Sequence, residues 1–248
     1  MTIASPTSAG VSEAGRTLAA AVDLSANFDS WGISTRVLGG RGTCSVFAVV
    51  GALEYALATH QGHGVHLSVE FLNWAGHRAT GRTVDGGFFW ELWDGYEQFG
   101  MCSEEDLPYA SAFDADLEPS AAVLNAALER RGAVALLRWV KEWDPETGLT
   151  DATFVEVKRT LAAGHPVCGG FRWPKTAEWN DDLLAMAAPS DVFDGHSVLL
   201  SGYVDDADTP GGGWFTIRNS QAPDADGRLS YEYVRAYMND AAWVEPAH

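Results

Sequence analysis

The stretch RGTCSVFAVVGALEYAL, residues 41–57, decides how this chain folds. After Cys44 its apolar side chains recur at helical spacing: Phe47, Val50, Leu53 and Leu57. The spacing predicts a largely buried helix over residues 44–57, with Thr43 placed to cap it. Cys44 then lies in the first helical turn, where the positive end of the helix dipole stabilises a thiolate, the nucleophilic form of cysteine. Taken alone, a cysteine before an apolar run is more often an inert core thiol.

Further helices are predicted through residue 163, and strands after it. LSVEFLNWAG (67–76), capped by Ser68, and FFWELWDGYEQF (88–99), ended by Gly100, have helical patterns, as do residues 120–131 and 152–163. The last third holds short apolar runs bounded by Gly, Pro and Asp, which predict strands: PVCGGFRW, HSVLLSGYV and GWFTIRNS. Helices followed by strands favour the α+β class with two lobes over alternating βαβ units.

Domain boundaries follow from the same patterns. The N-terminal segment is rich in Ser, Ala, Thr and Gly, so residues 1–22 are predicted to form a flexible tail. Residues 23–248 are predicted to form one domain, with a helical lobe over about 40–130 and a β lobe over about 131–245.

Composition excludes several classes of protein. The net charge of −18 argues against nucleic acid and membrane surfaces as partners. Three widely spaced cysteines do not form a disulfide framework. No signal peptide or long apolar run appears, so a cytoplasmic location is expected. We expect no cofactor and no metal site, because the histidines of HQGHGVH lie in a glycine-containing loop. The oligomeric state stays open.

A nucleophilic Cys44 needs a histidine as its base, and the chain has seven histidines. His196 opens a predicted strand directly after Gly195, a residue that lets another group approach closely. The strands HSVLLSGYV and GWFTIRN should pair as an antiparallel hairpin, which places Asn219 beside His196. A thiol enzyme needs such a pair, since the Asn orients the basic His. An ordinary, hydrogen-bonded strand histidine is the alternative for His196.

The chain resembles the papain-like (C1-type) cysteine peptidases, especially bacterial members. RGTC before an apolar helix is similar to their nucleophile helix, and LSVEFL to the helix that follows it. DGGFFWELWDGYEQFGMCSEEDLPYA, LAAGHPVCGGF, GHSVLLSGYVDD and GWFTIRNS resemble later segments in the family order, from about residue 30 to 245. Only about 25 residues precede the first of these segments. In this respect the chain resembles the branch of the family without an inhibitory pro-region.

The resemblance implies a fold and a mechanism. The fold has a helical N-terminal lobe and an antiparallel β-barrel-like C-terminal lobe, with the active site in the cleft between them. A Cys44 thiolate and a His196 imidazolium would form an ion pair, with Asn219 holding the imidazole. The Cys44 N–H would be half of the oxyanion hole. The Gly87 backbone would bind an extended peptide, and Phe88 and Phe89 would wall an apolar specificity pocket.

Two positions depart from the family pattern. Leu38 stands six residues before Cys44, where the family has the Gln that is the second oxyanion donor. Gln221 stands where the family has a Trp that shields the Asn–His pair. Loss of one oxyanion donor typically costs about 10²–10³ in rate. Three functions therefore stay open: a peptidase or amidohydrolase, a thiol-dependent acyltransferase or ligase in a tailoring pathway, and a catalytically impaired binding module.

Overall fold

Helix α2 (Cys44–Gln61) packs against both the other helices and the sheet. The fold is a computed structural model that describes residues 17–131, 134–146, 148–223 and 225–246. Most of the residues of α2 are buried, which explains why the stretch after Cys44 is apolar apart from the buried Ser45 and Glu54. The helix ends at Gly62, which adopts a left-handed conformation with φ 75°. The predicted buried helix is confirmed and is one turn longer than expected.

The helical lobe contains three further helices of ten residues or more. They are α3 (Val69–Thr80), α4 (Phe89–Phe99) and α5 (Ala121–Arg130), and all three were predicted. Ser68 caps α3 by accepting the Phe71 N–H at 2.9 Å. Helices α3 and α4 touch closely at Gly95, where an added Cβ would lie 2.4 Å from the Gly76 nitrogen. A short helix, α1 (Ser25–Ser30), was not predicted.

A mostly antiparallel sheet forms the second lobe. Its nine described strands are β1 (Ala21–Asp23), β2 (Val134–Lys141), β3 (Val167–Pro174), β4 (Trp179–Asn180), β5 (Leu183–Leu184), β6 (Val192–Asp205), β7 (Gly213–Arg218), β8 (Gly227–Ser230) and β9 (Met238–Pro246). The strand order is β2-β9-β3-β6-β7-β8-β5-β4, with β1 also paired to β6 and only β5–β8 parallel among the described pairs. Helices α6 (Asp151–Ala162) and α7 (Tyr231–Tyr237) accompany the sheet.

The predicted hairpin exists as β6 and β7. Leu199 pairs with Arg218, and Val204 pairs with Trp214. On its other edge β6 pairs with β3, a strand that was also predicted. Strand β3 in turn pairs with β9. Strands β2 and β9 and helix α7 were not predicted. The architecture confirms the α+β class with a helical and a β lobe.

The first strand of the sheet begins before the end of the segment predicted to be a flexible tail. Ala21 pairs with Val204 and Asp23 pairs with Gly202, so β1 begins inside the segment expected to be flexible. Residues 1–16 of that segment, and residues 247–248 at the other end of the predicted domain, lie outside the described residues. Within the described ranges, no helix combines the length and the apolar character needed to cross a membrane.

Candidate active site

Cys44 is the first residue of α2, as the sequence predicts. Thr43 precedes it but does not cap the helix: its hydroxyl lies 2.7 Å from the Tyr109 hydroxyl instead. The first N–H groups of a helix have no acceptor within that helix, so the Cys44 N–H is available to an acceptor in the cleft. Cys44 is partly exposed, whereas Cys102 and Cys168 are fully buried.

Arg41 holds the loop before Cys44 in place. Its guanidinium donates two bonds to Asp85, at 2.9 and 3.0 Å, and one to Glu70 at 2.5 Å. A fourth bond, at 2.8 Å, goes to the Ala110 carbonyl. Burial alone would lower the pKa of Arg41, but the hydrogen bonds and charges of Asp85 and Glu70 outweigh it and raise that pKa, so the guanidinium stays charged. The motifs RGTC, VDGG and LSVEFL are therefore joined by one buried cation.

His196 and Asn219 are brought together by the hairpin. His196 Nε2 lies 2.9 Å from Asn219 Oδ1. Asn219 is completely buried, and its backbone N–H donates to Asp226 at 2.7 Å. Asp226 also accepts the Thr35 hydroxyl at 2.8 Å, so the turn after β7 is tied to the loop that leads to Cys44.

Gly195 contributes through its backbone conformation. Its φ of 103° strongly favours glycine, while a Cβ at this position would meet nothing within 4 Å. The Gly195 carbonyl accepts the Cys44 thiol at 3.7 Å. The sequence predicted a close approach at Gly195; the structure shows that the unusual φ, rather than space for a neighbour, is what requires glycine.

Trp173 covers the His196 ring and was missed by the sequence analysis. The ring centroids lie 4.5 Å apart, and Trp173 is 1% exposed. It stands at the end of β3, far in sequence from Gln221, which occupies the expected shielding position and is exposed. Thus an aromatic ring does shield the histidine, but a different strand supplies it. The available signal was an aromatic residue in the predicted strand PVCGGFRW, although its pairing with β6 was not predicted.

Burial acts on both members of the Cys–His pair. It raises the pKa of Cys44, although the Ser197 hydroxyl and nearby backbone N–H groups oppose the shift. Burial also lowers the pKa of His196, against the hydrogen bond to Asn219. Both shifts favour a neutral thiol at Cys44 and a neutral imidazole at His196. The preformed ion pair that the family resemblance implies is therefore opposed by desolvation of both charges.

Leu38 lies beside the site without offering a side-chain donor. Its N–H donates to Ser220 O at 2.8 Å, and its carbonyl accepts the Tyr109 hydroxyl at 2.9 Å. The side chain packs against the hydrophobic core. An apolar side chain cannot stabilise an oxyanion, so the Cys44 N–H has no partner donor from position 38.

A cleft between the lobes contains most of the predicted site residues. Its volume is about 860 Å³ including the open mouth. The predicted residues that line it are Cys44, Gly87, Phe88, Phe89, Gly195 and His196. Leu38 and Asn219 do not line it, and Asn219 lies behind His196.

The predicted specificity residues differ in exposure. Phe89 is 1% exposed and belongs mainly to the core, whereas Phe88 is 38% exposed at the mouth. Phe88 meets Trp143 edge to face, with ring centroids 5.3 Å apart. The Gly87 N–H points toward the Ser45 hydroxyl at 3.4 Å.

Two further residues that line the cleft, Trp143 and Asp240, were not predicted. Trp143 lies in a loop, and Asp240 lies in a strand that the sequence patterns did not indicate.

No group of three or more His, Cys, Asp or Glu side chains in the described part of the chain could hold a metal ion. The polar side chains that line the cleft include the Cys44 thiol, the His196 imidazole, the Asp240 carboxylate and the Arg82 guanidinium.

Three solved structures that resemble this fold are cysteine proteases. Xylellain, a cysteine protease from Xylella fastidiosa, aligns with a TM-score of 0.71 at 20% identity, over 94% of this chain and 88% of its own. Digestive procathepsin L 3 of the Tenebrio molitor larval midgut gives 0.65 at 17% identity, over 94% and 72%. The Amb a 11 cysteine protease, a major ragweed pollen allergen, in its proform, gives 0.65 at 19% identity, over 94% and 60%.

Searches with protein-family models and of curated protein sequences gave no match. The structural likeness establishes the class of fold. The chain has the papain-like two-lobe fold of these cysteine proteases, with its candidate site in the cleft between the lobes.

Proposed function

We propose that this chain is a papain-like cysteine peptidase or amidohydrolase that cleaves a peptide or amide bond through an acyl-thioester on Cys44. The observation that best supports it is the 2.9 Å contact between His196 Nε2 and Asn219 Oδ1, behind a cleft wall shared by His196 and Cys44. The Asn219 oxygen accepts the Nε2 proton, so the neutral ring has Nδ1 free to act as a base.

The first half of the proposed reaction forms the thioester. Cys44 Sγ attacks the substrate carbonyl carbon while its proton passes to His196 Nδ1. The carbonyl electron pair moves onto oxygen, where the Cys44 N–H donates a hydrogen bond. The C–N bond then breaks, His196 returns the proton to the leaving amine, and the acyl group stays on sulfur.

The second half releases the acyl group. Water attacks the thioester carbonyl and gives a proton to His196, and the C–S bond breaks as that proton returns to Cys44 Sγ. Since burial raises the Cys44 pKa and lowers that of His196, proton transfer should accompany attack rather than precede it.

A trapped acyl-enzyme tests this proposal. The chain is mixed with a panel of activated amides, quenched in acid and mapped by mass spectrometry. We expect a mass gain equal to the acyl part on the peptide that contains Cys44, and none in Cys44→Ala. Cys102→Ala removes a buried thiol outside the cleft and should leave the adduct unchanged.

The other outcomes are equally informative. Transfer of the acyl group to an added amine in preference to water would show that the chain is an acyltransferase and not a hydrolase. Binding of the amides without any adduct on Cys44 would show that the chain is a binding module and not a thioester-forming enzyme. Hydrolysis that persists in Cys44→Ala would reject the thioester mechanism.

A further inference from the structure

Two side chains of one helix bind the backbone of Gly86. Asn73 and His77 lie four positions apart on α3, so they share one face of the helix. The Gly86 N–H donates to Asn73 Oδ1 at 2.9 Å, and the Gly86 carbonyl oxygen lies 3.1 Å from His77 Nε2. A carbonyl oxygen only accepts hydrogen bonds, so His77 Nε2 carries a hydrogen and donates it. Both polar groups of the Gly86 backbone are therefore held by α3.

Gly86 lies between the catalytic cleft and a second cavity. Asn73 and His77 line the second cavity, whose volume is about 660 Å³ including its open mouth. On the other side, a Cβ added at Gly86 would overlap the carbonyl oxygen of Gly42, which lines the cleft. The φ of 79° at Gly86 also favours glycine. The Gly86 backbone thus contacts α3 on one side and the loop before Cys44 on the other.

The bond from His77 sets the direction of the Gly87 N–H. The Gly86 carbonyl and the Gly87 N–H belong to one planar peptide unit, and in a trans unit they point in opposite directions. Since the carbonyl points to His77, the N–H points away from α3, where the Ser45 hydroxyl accepts it at 3.4 Å. Ser45 and Gly87 both line the cleft. A bond of this length is weak, which leaves the Gly87 N–H able to donate to a ligand.

A peptide unit between two glycines needs such an anchor. Neither Gly86 nor Gly87 has a Cβ that restricts rotation of the unit between them, so the unit can turn over at little steric cost. In the opposite orientation, the Gly86 carbonyl would replace the Gly87 N–H at the cleft. The hydrogen bond from His77 favours the observed orientation by about three- to tenfold in population, the amount that one net hydrogen bond supplies.

We propose that His77 is a positioning residue that holds the Gly86–Gly87 peptide unit so that the Gly87 N–H faces the substrate backbone. This inference rests on the proposed function, because it concerns how an extended peptide binds in the same cleft. His77 does not line that cleft, so it acts through Gly86. Its effect falls on substrates long enough to reach Gly87, and leaves the chemistry at Cys44 unchanged.

Two substitutions separate the hydrogen bond from the packing of the ring. His77→Gln keeps an N–H donor of nearly the same reach and removes the ring. His77→Phe keeps the edge-to-face contact with Phe113, whose ring centroid lies 5.4 Å away, and removes the donor. For a hexapeptide that the native chain cleaves, we expect His77→Phe to raise KM about three- to tenfold with kcat changed less than about twofold. His77→Gln should match the native chain.

A short substrate completes the kinetic test. The acetyl group of p-nitrophenyl acetate is too short to reach Gly87, so the native chain and both variants should hydrolyse this ester at equal rates. A higher KM for the hexapeptide in His77→Gln but not in His77→Phe would assign His77 a packing role and overturn the inference. An equal loss on the ester and the hexapeptide would also overturn it, because the defect would then not depend on contact with Gly87.

The Gly87 amide signal in nuclear magnetic resonance spectra gives a readout that needs no substrate. We expect one sharp signal in the native chain and in His77→Gln, and exchange broadening or a second signal in His77→Phe, as the two orientations of the peptide unit interconvert. His63→Phe, at an exposed histidine after α2, is the control and should leave the signal unchanged. The same sharp signal in His77→Phe as in the native chain would overturn the inference.

The two readouts also separate this inference from the proposed function. If the native chain cleaves no peptide while the Gly87 signal still depends on a donor at position 77, the peptidase is rejected and the placement of the Gly87 N–H by His77 is kept. If Cys44 forms the acyl-enzyme while KM for the hexapeptide is the same in His77→Phe and the native chain, the positioning role is rejected and the peptidase is kept.

Discussion

The Leu38 N–H donates to the Ser220 carbonyl at 2.8 Å. Ser220 directly follows Asn219, which holds His196. The bond therefore connects the loop before the nucleophile to the turn that orients the base, although 181 residues lie between the two in the sequence. Their backbones meet, while the partly buried Leu38 side chain packs against the core.

Replacing Leu38 with a donor should increase the rate. Leu38→Gln adds an amide at the position where the family has its second oxyanion donor, so we expect kcat to rise by up to about 10²–10³, the range typical of one such donor. KM should change little, because the donor acts on the transition state. Leu38→Met, similar in size and without a donor, is the control. An unchanged kcat in Leu38→Gln would mean either that the side chain at position 38 packs against the core and does not reach the oxyanion, or that another group already stabilises it.

The three thiols should differ strongly in reactivity. Iodoacetamide should label Cys44 first, because Cys102 and Cys168 are fully buried and burial raises the pKa of Cys102 to about 12. Peptide mapping over time measures the order. His196→Ala should slow labelling of Cys44 by roughly tenfold or more, since the base is lost. Equal labelling of all three thiols, or no effect of His196→Ala, would contradict the assigned pair.

Trp173 should control the protonation of His196. Burial lowers the His196 pKa, so Trp173→Leu, which opens the ring to water, should return that pKa toward its ordinary value. The acid limb of the Cys44 alkylation rate should then move to higher pH, because the neutral imidazole is the base. Trp173→Phe should keep the limb in place. Trp90→Leu, at an exposed site on α4, is the control, and an equal shift there would show a non-specific effect.

Arg41 should contribute strongly to stability. Arg41→Met leaves the Glu70 and Asp85 carboxylates without their buried counter-charge, which should lower the free energy of unfolding by about 3–5 kcal/mol. Urea denaturation measures the loss. Arg138→Met removes the more exposed pair with Glu245 and should cost less than about 1 kcal/mol. Similar losses in both variants would show that the Arg41 network has no special role.

Asp240 should lower stability at alkaline pH. Its folded pKa is raised, so the fold favours the protonated form, and stability falls as pH rises from about 4 to about 7. Asp240→Asn should therefore match the native chain near pH 4 and exceed it at pH 8, by no more than about 4 kcal/mol. Exposed Asp116→Asn is the control. A native stability curve that does not converge with Asp240→Asn in acid would reject the raised pKa.

The sequence patterns correctly predicted the helices and strands in which the apolar residues of the sequence are also the buried residues of the structure. Helix α2 is mostly apolar because most of it is buried, whereas its polar last turn is exposed, and α3 begins where Ser68 can accept the Phe71 N–H. The β6–β7 hairpin followed from two apolar runs separated by a turn. Strand β9 was missed because Asn239 and Asp240 interrupt its apolar pattern, yet both are buried at the cleft.

The sequence by itself indicated the α+β class, because periodicity and a hairpin are local properties, and the ordered resemblance of its motifs to one family singled out Cys44, His196 and Asn219 as candidates. Tertiary structure alone decided that Trp173 covers His196, that Arg41 joins Glu70 to Asp85, and that Phe88 meets Trp143. It also decided that Cys44 and His196 both favour their neutral forms. Contacts between distant segments and the loss of water around a charge depend on how the lobes pack, which local patterns do not specify.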